Sequence, residues 1–211
     1  MIVDLMQREY TPEDLLTMPG GENFELVNGR LVERHKTSRT LEVEDHMGFL
    51  SDRIAGRLFQ RLANFCDEHP LGWALLPNSG GFQGFPGSPR LVRKPDVAFV
   101  RYGRFPEEKL PPGHAHLAPD LAAEVVSPND LYEEVDEKIE EYLRAGVRLV
   151  WIVSPHNHTV RIYRLNGSSQ SLRDNDELDG EDVLPGFRCA VRDLFPQPPP
   201  PTESNGASAE S

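Results

Sequence analysis

Apolar residues recur at three- and four-residue steps from Met47 through Leu50, Ile54, Leu58, Leu62 and Phe65. That spacing predicts an amphipathic helix of about six turns between roughly Thr40 and Phe65. A similar stripe, Leu131, Val135, Ile139 and Tyr142 with Leu143 beside it, predicts a second helix. Ser127-Pro128-Asn129-Asp130 reads as its capping sequence and Gly146 as its stop. A shorter helix opens the chain, with Thr11 as N-cap, Pro12 in the first turn and Asp14 where a capping box places an acid. Between these lie strand patterns. Phe24–Val27 and Arg30–Glu33 flank Asn28-Gly29, the pair that best tolerates the positive φ of a type I′ hairpin turn. That turn sets Glu25 opposite Val32. Trp73–Leu76, Asp96–Arg101, Leu121–Val126 and Leu149–Val153 read as further strands, and Val160–Leu165 alternates as a hairpin partner of the last. The Gly- and Pro-rich stretches Asn78–Pro89 and Glu107–Pro119 read as loops.

The order strand, helix, strand across residues 121–153 requires a right-handed crossover, so those two strands are expected to run parallel while the others pair antiparallel. The predicted fold is α+β: a mixed β-sheet flanked by helices. One domain over residues 1–195 accounts for these elements, and 196–211 reads as a disordered Pro-rich tail with nothing to bury.

Charge narrows the function classes. Across 211 residues the net charge is −12, which argues against a general nucleic-acid coat but not against a local basic groove. Arg90, Arg93, Lys94, Arg101 and Arg104 lie close together in sequence, as do Glu133, Glu134, Asp136, Glu137, Glu140 and Glu141. Each run is expected to be a solvated face. Cys66 and Cys189 make neither a disulfide framework nor a metal knuckle. No apolar run approaches a membrane span, and residues 1–10 lack a signal-peptide core. The expected setting is cytoplasmic, with reduced thiols and no membrane.

Three acids sit where strands would not choose them: Glu25 in the hairpin, Asp96 at a strand head and Glu124 inside an apolar run. Buried carboxylates need partners. Together they would offer hard oxygen ligands, suited to Mg²⁺ or Mn²⁺ rather than zinc. The histidines at 114, 116, 156 and 158 lie in loops and turns and make no zinc spacing. Lys138 has two readings, a lysine edging the helix stripe and pairing with Glu134, or a cation aimed at the acids.

The ordered strings Phe24-Glu25-Leu26-Val27-Asn28-Gly29, Lys94-Pro95-Asp96-Val97-Ala98, Glu124-Val125-Val126-Ser127-Pro128 and Asp136-Glu137-Lys138-Ile139-Glu140-Glu141-Tyr142 resemble a bacterial family of restriction-endonuclease-like proteins. That family is abundant in cyanobacteria and actinobacteria and belongs to the PD-(D/E)XK nuclease superfamily. Arg144 to Trp151 and Leu184-Pro185-Gly186-Phe187 fit it too. The superfamily usually carries Glu-X-Lys on one strand, but here Val126 holds the lysine position and Lys138 on the next helix is the residue that matches.

The resemblance implies a Mg²⁺- or Mn²⁺-dependent endonuclease acting on DNA, and a homodimer. Asp96 and Glu124, with the Val125 carbonyl, would hold the metal, and Glu25 would reach it directly or through water. Lys138 would complete the catalytic set. The same resemblance leaves a second reading, a non-catalytic nuclease-fold dimer used as a binding or scaffolding module. His46 stands near a position where the family often has a histidine, and no role follows for it.

Overall fold

Thr11 and Asp14 cap the first helix reciprocally. The Asp14 amide donates to Thr11 Oγ1 at 3.3 Å and the Thr11 amide to Asp14 Oδ2 at 2.8 Å, so two N-terminal amides find partners in one exchange. The computed structural model describes residues 8–34, 48–127 and 130–197. Helix α1 spans Pro12–Thr17, followed by β1 (Phe24–Val27) and β2 (Arg30–Glu33). The long helix α2 covers Gly48–Glu68, and β3 (Gly72–Leu75), β4 (Val97–Arg101) and β5 (Leu121–Val125) follow. Helix α3 (Tyr132–Arg144) leads to β6 (Leu149–Ser154), β7 (Thr159–Arg164) and β8 (Ser169–Arg173). The short pair β9 (Glu177–Asp179) and β10 (Arg188–Ala190) ends the strand series. His46, the predicted first turns of the long helix, Pro128-Asn129 and the tail beyond Gln197 lie outside the described residues.

β1 and β2 pair as the Asn-Gly turn demands, with Glu25 opposite Val32 and φ of 51° at Asn28 and 81° at Gly29. The main sheet has the order β3-β4-β5-β6-β7-β8. Only β5 and β6 run parallel, joined through α3, and every other neighbour pair is antiparallel. The mixed sheet is therefore as expected.

Strand alternation gives the sheet two buried faces. One face, with Phe99, Ala123, Trp151 and Ile162, packs on Ile54, Leu58 and Leu62 of α2 and on Leu184 and Phe187. The other face, with Ala98, Val100, Ala122, Val150 and Ile152, packs on Ile139 and Tyr142 of α3 and on the loop residues Phe82 and Phe85. Glu124 shares the parity of Ala122, so its side chain projects toward α3. This is the step that brings an acid inside.

Two local expectations need correction. α3 starts at Tyr132 after Leu131, with no side-chain cap, and Asp130 instead accepts the Ser127 amide at 2.7 Å to close the preceding turn. Leu131 is exposed, because it precedes the helix rather than joining its stripe. β8, β9 and β10 were not foreseen: Ser169–Arg173 carries a single apolar residue, Leu172, and the other two strands have three residues each. Such short or polar edge strands acquire their shape from their neighbours. The two cysteines are free, and both are buried.

Candidate active site

Backbone pairing begins the site. Leu26 donates its amide to the Val92 carbonyl at 3.0 Å and accepts from the Val92 amide at 2.8 Å. This ties β1 to the strand-like segment that runs into Lys94-Pro95-Asp96 and β4. Glu25 consequently lies against Arg93 and Lys94. Its Oε1 accepts from the Lys94 amide at 2.7 Å and its Oε2 from Arg93 Nη1 at 2.8 Å. Asp96, just before β4, accepts the Val125 amide on Oδ2 at 2.8 Å, which fixes the carboxylate at the end of β5. Arg34 Nη2 stands 3.6 Å from its Oδ1. Glu124 accepts on Oε1 from the Tyr142 hydroxyl at 2.8 Å.

Lys138 joins these groups. Its Nζ lies 3.3 Å from Glu25 Oε2 and 3.3 Å from Glu124 Oε2. On α3, Lys138 and Tyr142 are four residues apart and so share a face; both reach the one acid of β5. Four elements distant in sequence thus deliver Glu25, Asp96, Glu124 and Lys138 to one volume. Of the two readings of Lys138, its contacts favour the cation among acids.

The partners of these acids are not apparent from the sequence pattern. Arg93 and Lys94 are buried rather than solvated, at 3% and 1% exposure. Arg93 also donates through Nε to Glu141 Oε2 at 2.7 Å, and Lys94 Nζ donates to the Gly21 carbonyl at 2.8 Å. The signal was available but faint: Arg93 sits among Leu91, Val92 and Pro95, an apolar setting for a charge.

Electrostatics separate the two buried glutamates. Burial would raise the pKa of Glu25, but the Lys138 and Arg93 charges and the Lys94 amide overcome it, holding the carboxyl down at about 2. Burial raises Glu124, and repulsion from Asp96 and Glu25 adds to this; Lys138 and Tyr142 offset only part, leaving it at about 7. Burial disfavours the charge of Lys138, yet Glu124 and Glu25 hold its pKa above the ordinary lysine value.

These opposite shifts predict a pH signature in EDTA. Between pH 4.5 and about 7 the folded Glu124 keeps a proton that the unfolded chain has released, so its contribution to stability falls as pH rises through that window. Glu25 acts in a separate window: its stabilisation is present above 4.5 and is lost as pH falls toward about 2. Wild type should therefore lose stability relative to Glu124→Gln between pH 5 and 7, by about 2 kcal/mol. Chemical denaturation of the two proteins across that range tests it, and parallel curves would refute it.

Among the described residues no group of three or more His, Cys, Asp or Glu side chains is arranged as metal ligands. Two carboxylates remain a fitting donor set for Mg²⁺, which commonly takes one or two protein carboxylates and completes its shell with water and substrate phosphate. Asp96 and Glu124 each have one oxygen fixed to the scaffold, by Val125 and Tyr142, and their repulsion is what a divalent cation would relieve.

The chain matches, over residues 12–192, the Uma2 family model described as "Putative restriction endonuclease". It belongs to the Uma2 family. A solved structure from Anabaena variabilis, described as "a putative nuclease belonging to DUF820", is 19% identical, with a TM-score of 0.67 over 88% of this chain and 97% of that one. At that identity the likeness is one of fold: this Uma2 chain and that protein share one overall architecture. No curated protein matches the chain. No helix among the described residues of this Uma2 protein is long and apolar enough to cross a membrane.

Proposed function

We propose that this protein hydrolyses phosphodiester bonds in DNA with Mg²⁺ or Mn²⁺ as cofactor, the cation held by Asp96 and Glu124. The observation that carries this reading is the meeting of Lys138 Nζ with Glu25 and Glu124, at 3.3 Å from each, beside Asp96 at the head of β4. When bound, the cation offsets phosphate charge and acidifies water. The protein's own groups do the rest. Val125 and Tyr142 orient the two acids. Glu25, its charge balanced by Arg93, anchors Lys138, and the Lys138 ammonium faces the negative charge that develops on the phosphoryl oxygens. Arg34, against Asp96, adds a second cation on that side.

Lys138→Ala separates chemistry from ligation. Lysine is no metal ligand, so the variant should lose nicking of supercoiled plasmid while Mn²⁺ affinity, measured by calorimetry, stays within a few fold. Unchanged nicking would remove Lys138 from the catalytic set.

A second reading has its own support. Both oxygens of Glu25 already have cationic or amide partners, and the net charge of −12 disfavours extended contact with DNA. A non-catalytic homodimer serving as a binding or scaffolding module fits those facts. Absence of nicking on every DNA substrate, together with a dimer mass by light scattering, would favour it.

A further inference from the structure

The face of the sheet that carries Glu124 continues beyond the helix that covers it. Register places Glu124 beside Ile152, Ile152 beside Arg161 and Arg161 beside Ser171, so one row of side chains runs from the acid site out to the edge strand β8. Two strand spacings separate Glu124 from Arg161, about 10 Å. α3 lies over β6, and Ile152 is buried beneath that layer. Past it, the same face of β7 and β8 presents Thr159, Arg161, Tyr163, Ser169, Ser171 and Arg173, all exposed or half-buried. The opposite face of these strands carries Val160, Ile162 and Leu172, which are core.

The composition of this open face is out of keeping with the chain. A protein of net charge −12 presents here two arginines, four hydroxyl side chains and no carboxylate. Arg161 donates to the Tyr163 hydroxyl at 3.3 Å rather than to an acid. At the start of α3, Tyr132 is 76% exposed and close enough to Arg161 to interact with it electrostatically. Cations and hydroxyls matched to phosphate oxygens, with an exposed aromatic ring beside them, form the combination that holds unpaired nucleic-acid strands.

We infer that the open face of β7 and β8 binds a single-stranded polynucleotide segment flanking the acid site, with Arg161 and Arg173 on two phosphates and Tyr132 stacked on a base. The inference rests on the nuclease reading for what lies at the end of the row, but the binding itself needs no hydrolysis. Charge complementarity favours few phosphate contacts over the many that a long duplex would need, since basic side chains are scarce elsewhere on this face.

Fluorescence anisotropy of labelled oligodeoxythymidylate, titrated with the full chain in EDTA, tests it. The Arg161→Ala/Arg173→Ala protein should bind at least tenfold more weakly, and the slope of log affinity against log salt should become shallower by about 1.4, the value for two lost single-strand contacts. Arg161→Lys/Arg173→Lys should keep the wild-type slope. Tyr132→Ala should weaken binding about tenfold with no change of slope, and Tyr132→Phe should restore it. Failure of wild type to bind, equal binding by the arginine variants, or a loss confined to a hairpin duplex probe would overturn the inference. Arginine-dependent binding without nicking would uphold it while removing the nuclease reading. Nicking that is indifferent to both arginines would overturn it and leave that reading intact.

Discussion

Millimolar Mg²⁺ or Mn²⁺ is expected to raise the melting temperature of the wild-type protein, and Asp96→Asn and Glu124→Gln are each expected to lose most of that rise. A cation that binds the folded site and not the unfolded chain stabilises by mass action, about 2.7 kcal/mol at a hundred times its dissociation constant. For a domain of this size each kcal/mol moves the midpoint by about 2–4 °C, so a shift of several degrees is within easy reach of scanning calorimetry. Burial, with repulsion from Asp96 and Glu25 added to it, keeps the Glu124 proton in place to about pH 7 when no cation is bound. Glu124→Gln should therefore melt at or above wild type in EDTA, and below it in saturating metal. Both variants should fail to nick supercoiled plasmid where wild type does so. Absence of a metal-dependent shift in wild type, with no nicking on any substrate, would end the nuclease reading.

Arg93→Ala is expected to be the most damaging single change to stability. Its guanidinium lies between Glu25 and Glu141, with Nη1 2.8 Å from Glu25 Oε2 and Nη2 2.5 Å from Glu141 Oε2. Glu25 is 1% exposed, so truncating the arginine leaves a carboxylate in the interior with part of its compensation gone. Breaking a buried pair in this way typically costs about 3–5 kcal/mol, a fall in melting temperature on the order of 10 °C. Arg93→Ala with Glu25→Gln should recover part of the loss, since the stranded charge is removed with its partner. Arg90, three residues earlier, pairs with Glu9 in solvent, and Arg90→Ala should cost no more than about 0.5 kcal/mol. Equal melting temperatures for the Arg90 and Arg93 variants would show that the interior network is not what holds β1 to the sheet.

That pair of arginines marks the limit of reading in one dimension. Both stand in the same basic run, and composition treats them alike. Their difference arises because Leu26 and Val92 pair through the backbone, which turns Arg93 inward against Glu25 and leaves Arg90 at the rim. Tyr142 gives a similar lesson. Its place in the apolar stripe of α3 was legible, yet its hydroxyl finds a partner only because Glu124 projects from β5 toward the same helix face.

The sequence by itself determined whatever depends on neighbours a few residues apart. The Thr11–Asp14 capping box, the Asn28-Gly29 hairpin with its register, the stripes of α2 and α3, and the parallel pair on either side of α3 all follow from local geometry and crossover handedness. Three misplaced acids could also be picked out, because an acid in a strand is costly whatever surrounds it. Tertiary structure alone decided which cation meets which acid, which charges are buried, and which stretch of sheet stays open beside the site. Those outcomes depend on contacts between residues dozens of positions apart, such as Lys138 with Glu25 and Arg93 with Glu25. A charge does not carry its partner in its own sequence neighbourhood; it acquires one only when the sheet has closed, and the pKa of each group is set at that point.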